Sequence, residues 1–321
     1  MHTPLAVLFA LLTTVSNALA TVLQRKAAQR VPMRGRLGRG LMAGLVRQRV
    51  WLGGMAAVGA AACFQALALA NGPLSVVQPV FVLELPIALL LAAAILHRRL
   101  PADARRAAGL VTVGLAVALF AAAPTPGGTE ASTTRWLVAL ACCLGAAAAL
   151  TATAVRRRPG AARAACLALA AALCYALTAA LLKSAAQTWK SDGIAAFFSV
   201  WQTYGFAAVG VGALFLLENA LQSGPLTFSQ PALTLGDACT GVALGVALFE
   251  ERLRGGWWLV PEVAGGLLVL AGIVLLSRST AARTLIAPEP APEPAPEPAP
   301  DQAPDPGRRL EADPGSGARG E

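Results

Sequence analysis

From its fourth residue the chain alternates between long apolar runs and short polar breaks. Nine runs can be read, at 4–24, 51–70, 74–96, 106–123, 136–155, 164–186, 195–217, 228–249 and 258–277. A run of roughly 20 apolar residues is what a helix needs to cross a bilayer. The pattern therefore predicts an all-α polytopic membrane protein of about nine transmembrane helices. The first run ends in "NALA", a small-residue pattern of the kind cleaved in signal peptides. It is preceded by "MHTP", which lacks the basic n-region of such peptides, so a retained span is expected.

Two of the breaks match. "NGPLSVVQP" (71–79) and "SGPLTFSQP" (223–231) pair Gly72 with Gly224, Gln78 with Gln230 and Pro79 with Pro231, each 152 positions apart. A second alignment, "NALATVLQRKAAQ" (17–29) with "YALTAALLKSAAQ" (175–187), runs at 158 and sets Arg25 opposite Lys183. Both fall in the same order, so spans 1–4 correspond to spans 6–9, with span 5 as connector. Corresponding spans are five apart, an odd number, and must cross in opposite directions, which is an inverted-topology repeat. The expected organisation is a first repeat at 1–123, a connector with span 5 at 124–160, a second repeat at 161–280 and a tail at 281–321. Gly-Pro makes a tight turn before spans 3 and 8. Pro79 and Pro231 are then helix-start prolines, where a missing N–H matters least. Deeper in the span, the same prolines would free a carbonyl toward a cavity.

Charge orients these spans. Only 13% of residues are charged against 56% hydrophobic, and mean hydropathy is +0.61. The net +9 divides into −5 from Ala287 onward and +14 for the rest. Arg25, Lys26, Arg30, Arg34, Arg36, Arg39, Arg47 and Arg49 share one break without an acid. Arg98, Arg99, Arg105 and Arg106 fill a second, and Arg156, Arg157, Arg158 and Arg163 a third. Alternation through nine spans puts all three on one side, the cytoplasmic side by the positive-inside rule. The N-terminus is then outside, and "APTPGGTEASTTR" and "EERLRGG" also fall outside. The expected location is the cell membrane, multi-pass. The tail, with proline at nearly every second position from Pro288, is expected to be an extended disordered cytoplasmic arm. Basic residues are not interleaved with aromatics, so no nucleic-acid partner is expected. The six cysteines lie inside apolar runs without metal or disulfide spacing and are expected to pack as small apolar residues.

Ionisable groups at bilayer depth carry the candidate chemistry, because a charge at a helix centre costs about 2.5–3.5 kcal/mol to insert. Glu84 in span 3 and Asp237 in span 8 are the leading pair. Glu84 maps to Gly236, one position from Asp237. Two carboxylates near a pseudo-two-fold axis can bind a cation or share a proton. Lys183, near the end of span 6, is expected to snorkel to the interface or to pair with one of them. Glu262 lies a turn inside span 9 and reads as interfacial. Gln78, Gln230, Gln65, Gln202, Tyr204 and Tyr175 are further candidates to line a pathway or to bond between helices. Gly241 and Gly245 read as a close-packing pair. The histidines, His2 and His97, form no constellation, and no phosphate-binding loop is present, so neither an enzyme nor an ATP-driven pump is expected and no cofactor is called for.

"VRQRVWLGG" (46–54), "GPLSVVQP" (72–79), "GPLTFSQP" (224–231) and "LFEERL" (248–253) together resemble the drug/metabolite transporter superfamily, in its EamA-type and NIPA-like branches. The resemblance covers residues 4 to 277. It implies a secondary transporter working by alternating access on a small metabolite or a cation. Gln65 to Ala70 depart from the Gly-Glu-x-x-Asn pattern of the eukaryotic magnesium carriers, so a Mg²⁺-like divalent carrier stands as the alternative. A non-transporting scaffold with a partner-binding tail is the alternative of another class. The expected partners are the bilayer and a small-molecule or ion substrate, and a homodimer is compatible with the architecture. A resident metal is left undefined.

Overall fold

A computed structural model of the protein describes residues 3–28, 48–95, 100–128 and 130–279. The tail and most of the first basic break lie outside them, as do His2 and His97. Among the described residues the elements are α1 (Thr3–Ala28), α2 (Arg49–Asn71), α3 (Leu74–Val80), a 3-10 turn (Phe81–Leu83) and α4 (Glu84–Ile95). They continue with α5 (Ala102–Ala122), α6 (Thr133–Val155), α7 (Ala161–Asp192), α8 (Ile194–Ser199), α9 (Trp201–Ser223), α10 (Leu226–Phe249), a second 3-10 turn (Gly256–Trp258) and α11 (Leu259–Arg278). Extended pairing among the described residues is confined to one bridge, between Thr125 and Arg252. Nine helical stretches among the described residues are long and apolar enough to span a bilayer, with α3, the 3-10 turn and α4 making one of them. The chain is an all-α polytopic membrane protein. In hydrocarbon only such helices satisfy their own backbone, and Phe120, Leu137, Phe215, Leu267 and similar side chains are exposed on its outer surface, where lipid is the solvent.

Span 7 departs from the expected 195–217. Its helix is Trp201–Ser223, because α7 runs on to Asp192 and the apolar "IAAFFS" forms the separate α8. Gly193 adopts φ 87°, a region favouring glycine, and Val200 is extended at φ −90° and ψ 140°. Hydroxyls of the next turn take up carbonyls of α8. Thr203 donates to Phe197, and Tyr204 donates to the Phe198 carbonyl at 2.9 Å. Apolar content alone did not distinguish this broken segment from a span.

The loops gather at two ends. At one, Lys190 reaches the Asn71 side chain at 3.0 Å, Thr125 pairs with Arg252, and the Arg254 N–H donates to the Ala122 carbonyl at 2.7 Å. At the other, the Gly160 N–H donates to the Ser223 carbonyl at 2.8 Å. The start of α1 lies at the first end, since a Cβ on Gly72 would strike Ala6. The start of α7 lies at the second, since a Cβ on Gly224 would meet Ala164 at 3.1 Å. Ala6 and Ala164 are 158 positions apart, as in the sequence alignment. One contact is thus made twice, at opposite ends, by helices running in opposite directions. The turns match as well: Pro73 sits at φ −69° and ψ 143°, Pro225 at φ −68° and ψ 139°.

Packing follows the same duplication. α1 lies along α2 as α7 lies along α9. α1 also packs on α4, and α7 on α10. Between the halves, α3 crosses α10, and α5 lies along α11. A Cβ on Gly114 would meet the Gly265 carbonyl at 2.7 Å, and one on Gly265 would meet the Gly114 carbonyl at 2.6 Å. Two backbones approach this closely only where neither residue has a side chain.

Candidate functional site

Pro79 and Pro231 are each the sixth residue of their helix, a turn deeper than helix-start punctuation. A proline there removes the bond to the carbonyl four residues back, of Ser75 or Thr227. The two halves respond differently. After Pro79 the backbone tightens into the 3-10 turn and then restarts as α4, whose first residue is Glu84. After Pro231 the helix continues unbroken to Phe249. Glu84 therefore stands directly after the tightened turn, as the first residue of α4.

Asn17 of α1 donates to Glu84 Oε2 at 3.4 Å. Glu84 and Asp237 lie within electrostatic reach of each other, and Tyr175 of α7 lies within reach of both. Asn17 and Tyr175 are equivalent in the 158-position alignment. Glu84 thus has a polar partner on α1, and the repeat-related position on α7 holds Tyr175, within electrostatic reach of both carboxylates. Both are half-buried, and Asp237 Oδ1 is an enclosed oxygen without a hydrogen-bond partner. Along α10, Asp237, Gly241 and Gly245 form a stripe at four-residue spacing. Gly241 receives Gln78, whose Cβ would stand 2.7 Å from an added Cβ, and Gln78 Oε1 is buried without a partner. The close-packing role expected for Gly241 and Gly245 is what the structure shows.

Lys183 does not snorkel. It is 1% exposed and forms an ion pair with Glu251, a residue expected in a solvated outer connection. Its ammonium also stands 4.4 Å from the centre of the Phe249 ring. Glu251 is 2% exposed and accepts the Leu74 N–H at 2.7 Å and the Ser75 N–H at 2.8 Å. The chain reverses at Glu250, which is left-handed at φ 54° and ψ 31°, and the Glu251 N–H then reaches back to the Gly245 carbonyl at 3.2 Å. Adjacent acids part company: Glu250 turns outward to Arg135, and Glu251 turns into the protein. Lys183 therefore pairs with neither Glu84 nor Asp237. Sequence reasoning missed Glu251. The available signals were a lone lysine in an apolar span and an acidic pair directly after another.

Other expected residues scatter. Tyr204 is 63% exposed and tied to α8, so it leaves the candidate pathway. Gln202 sits in the first turn of α9, its Oε1 enclosed without a partner. Gln65 is half-buried on α2 and Gln230 half-buried on α10. Of the cysteines, Cys143 and Cys174 pack inside, whereas Cys63, Cys142 and Cys239 are exposed on the helical surface.

No family model matches the chain, and no solved structure matches it. It is 28% identical over 282 residues to an uncharacterized protein of Corynebacterium glutamicum, covering 86% of this chain and 96% of that one.

Proposed function

We propose that the protein is a secondary transporter of the drug/metabolite type. It moves a small metabolite or a cation by alternating access between two inverted repeats. The observation that carries this reading is the Glu84–Asp237 pair, held within electrostatic reach from the two halves, with one carboxylate oxygen unpartnered. Two acids at bilayer depth that feel each other's charge are costly unless they take up a proton or a cation. The duplicated contacts of Gly72 with Ala6 and Gly224 with Ala164 support the two-repeat reading. Arg156, Arg157 and Arg158 follow α6 at the second end, and Arg105 and Arg106 lie near the start of α5, which is also there. That end is cytoplasmic in our reading, and the end holding Asn71, Arg252 and Glu251 is external.

The test is flux in proteoliposomes across a panel of monovalent cations, Mg²⁺ and small metabolites, with and without a proton gradient. Including Mg²⁺ separates the divalent alternative, which would use the same carboxylates. Glu84→Gln and Asp237→Asn keep size and remove charge. Each should abolish coupled flux while the protein stays folded, because a neutral amide is cheaper to bury than a carboxylate. The double variant should be no worse than either single one, because groups serving one step fail as a unit. Undiminished flux in both variants would remove this site.

A further inference from the structure

Repeat-related segments in this structure are not equally buried. Leu74, Ser75, Val76, Val77, Gln78 and Val80 of α3 are all buried. Their counterparts in the second repeat are more open on balance: Phe228 is exposed and Thr227, Gln230 and Ala232 are half-buried, although Ser229 is buried. The matched glutamines divide the same way, Gln78 at 2% exposure and Gln230 partly open. An inverted repeat closed at one end and open at the other has this mismatch, because each half adopts what the other adopts in the opposite state.

At the first end, Glu251 is the residue that ties the halves together. Its carboxylate joins three elements: the backbone N–H groups that begin α3 in the first half, Lys183 of α7, and the chain reversal after α10 in the second half. Around it, Trp136 stands edge-on to Phe249 at 6.4 Å and to Trp201 at 5.4 Å, and the Gly128 N–H donates to the Phe249 carbonyl at 2.6 Å. Among the described residues, no carboxylate meets the start of α10 at the other end. We propose that Glu251 and Lys183 form the outer gate, and that their separation from the start of α3 opens the path from Gln78 to the Glu84–Asp237 pair toward the external face. The proposal rests on the transporter reading. It adds the residues that hold one of its two states.

Two variants loosen the gate by different means. Glu251→Gln removes the charge that binds Lys183. Gly245→Ala leaves every charge in place but puts a methyl where the Glu251 carboxylate sits. Each is combined with Gln78→Cys or Gln230→Cys in the full chain, its six native cysteines replaced. Membrane-impermeant maleimide is applied from either face of proteoliposomes. In the parent chain, the thiol at position 78 should resist external reagent, and the thiol at position 230 should label from the opposite face. Either loosening variant should raise labelling at position 78 and lower it at position 230, each by about tenfold, as a shift between two states requires. A rise at both positions, with a fall in thermal stability, would show a structural staple and overturn the gate. No change at either position would overturn it as well. Reciprocal labelling without flux of any tested solute would uphold the gate and remove the transport reading. Flux without reciprocal labelling would do the reverse.

Discussion

At the residue scale, burial and partnership sort the polar side chains into three kinds. Asp237 and Gln78 have enclosed oxygens with no partner, Lys183 and Glu251 are enclosed and paired with each other, and Tyr204 is exposed. The two tyrosines make a direct comparison. Tyr204→Phe loses one exposed hydrogen bond to Phe198, worth about 1 kcal/mol or less. It should leave flux unchanged. Tyr175→Phe removes a hydroxyl within electrostatic reach of the carboxylate pair and should change the apparent affinity of flux with little change in thermal stability. Equal effects at the two positions would break the assignment. Glu84 and Asp237 were legible in the sequence, because charge inside an apolar run is rare and the repeat set them one position apart. Their partners were less so. Asn17 and Tyr175 stood in the second alignment, but only packing shows that α1 and α7 flank the carboxylates. Glu251 was illegible for a different reason. Its burial depends on a left-handed turn at Glu250, and a hydropathy pattern does not encode a chain reversal.

At the element scale, small residues decide how closely the helices approach. Gly114 and Gly265 are mutually in contact, so a side chain on either would meet backbone, which cannot rotate away. Gly265→Ala should lower stability by about 1–3 kcal/mol, read as thermal or denaturant unfolding in detergent, as overpacking does elsewhere. Gly266, one position on, meets nothing within 4 Å, and Gly266→Ala should be neutral or slightly stabilising. A similar cost at both positions would mean that α5 and α11 do not meet as described. The spans themselves were largely readable because hydrophobic length is a strong signal. Eight of the expected runs fall on helices, such as 228–249 on Leu226–Phe249, although the helix of span 6 runs six residues past 186 to Asp192. The exception, span 7, began in α8, where two phenylalanines and an isoleucine mimic a span start before Val200 breaks the helix. The 3-10 turn before Glu84 was also hidden. Pro79 and Pro231 look alike in sequence, yet only the first is followed by a tightened backbone.

At the scale of the whole molecule, contacts separate two ends of the bundle and charge predicts which side each faces. The contacts place the start of α1 and the turn at Gly72 at one end, and the start of α7 and the turn at Gly224 at the other. The charges place the arginine cluster at 156–158 at that second end, whereas the first end mixes Lys190, Arg252 and Arg254 with Asp192, Glu250 and Glu251. Positive charge is retained on the cytoplasmic side, so the second end should face the cytoplasm. Thr134, at the start of α6, and Pro159, just past its end, are both exposed and lie at opposite ends of one helix. In a chain without native cysteines, Thr134→Cys should label with impermeant maleimide in intact cells. Pro159→Cys should label only after the membrane is opened. The reverse pattern would invert the protein, exchanging the outer gate for an inner one while leaving every contact in place. Labelling of both from outside would mean that α6 does not cross, and the odd number of spans between matched helices would be lost with it. The proposed inverted repeat, carboxylate site and outer gate all depend on that odd number. One helix's crossing therefore tests the frame on which the functional reading stands.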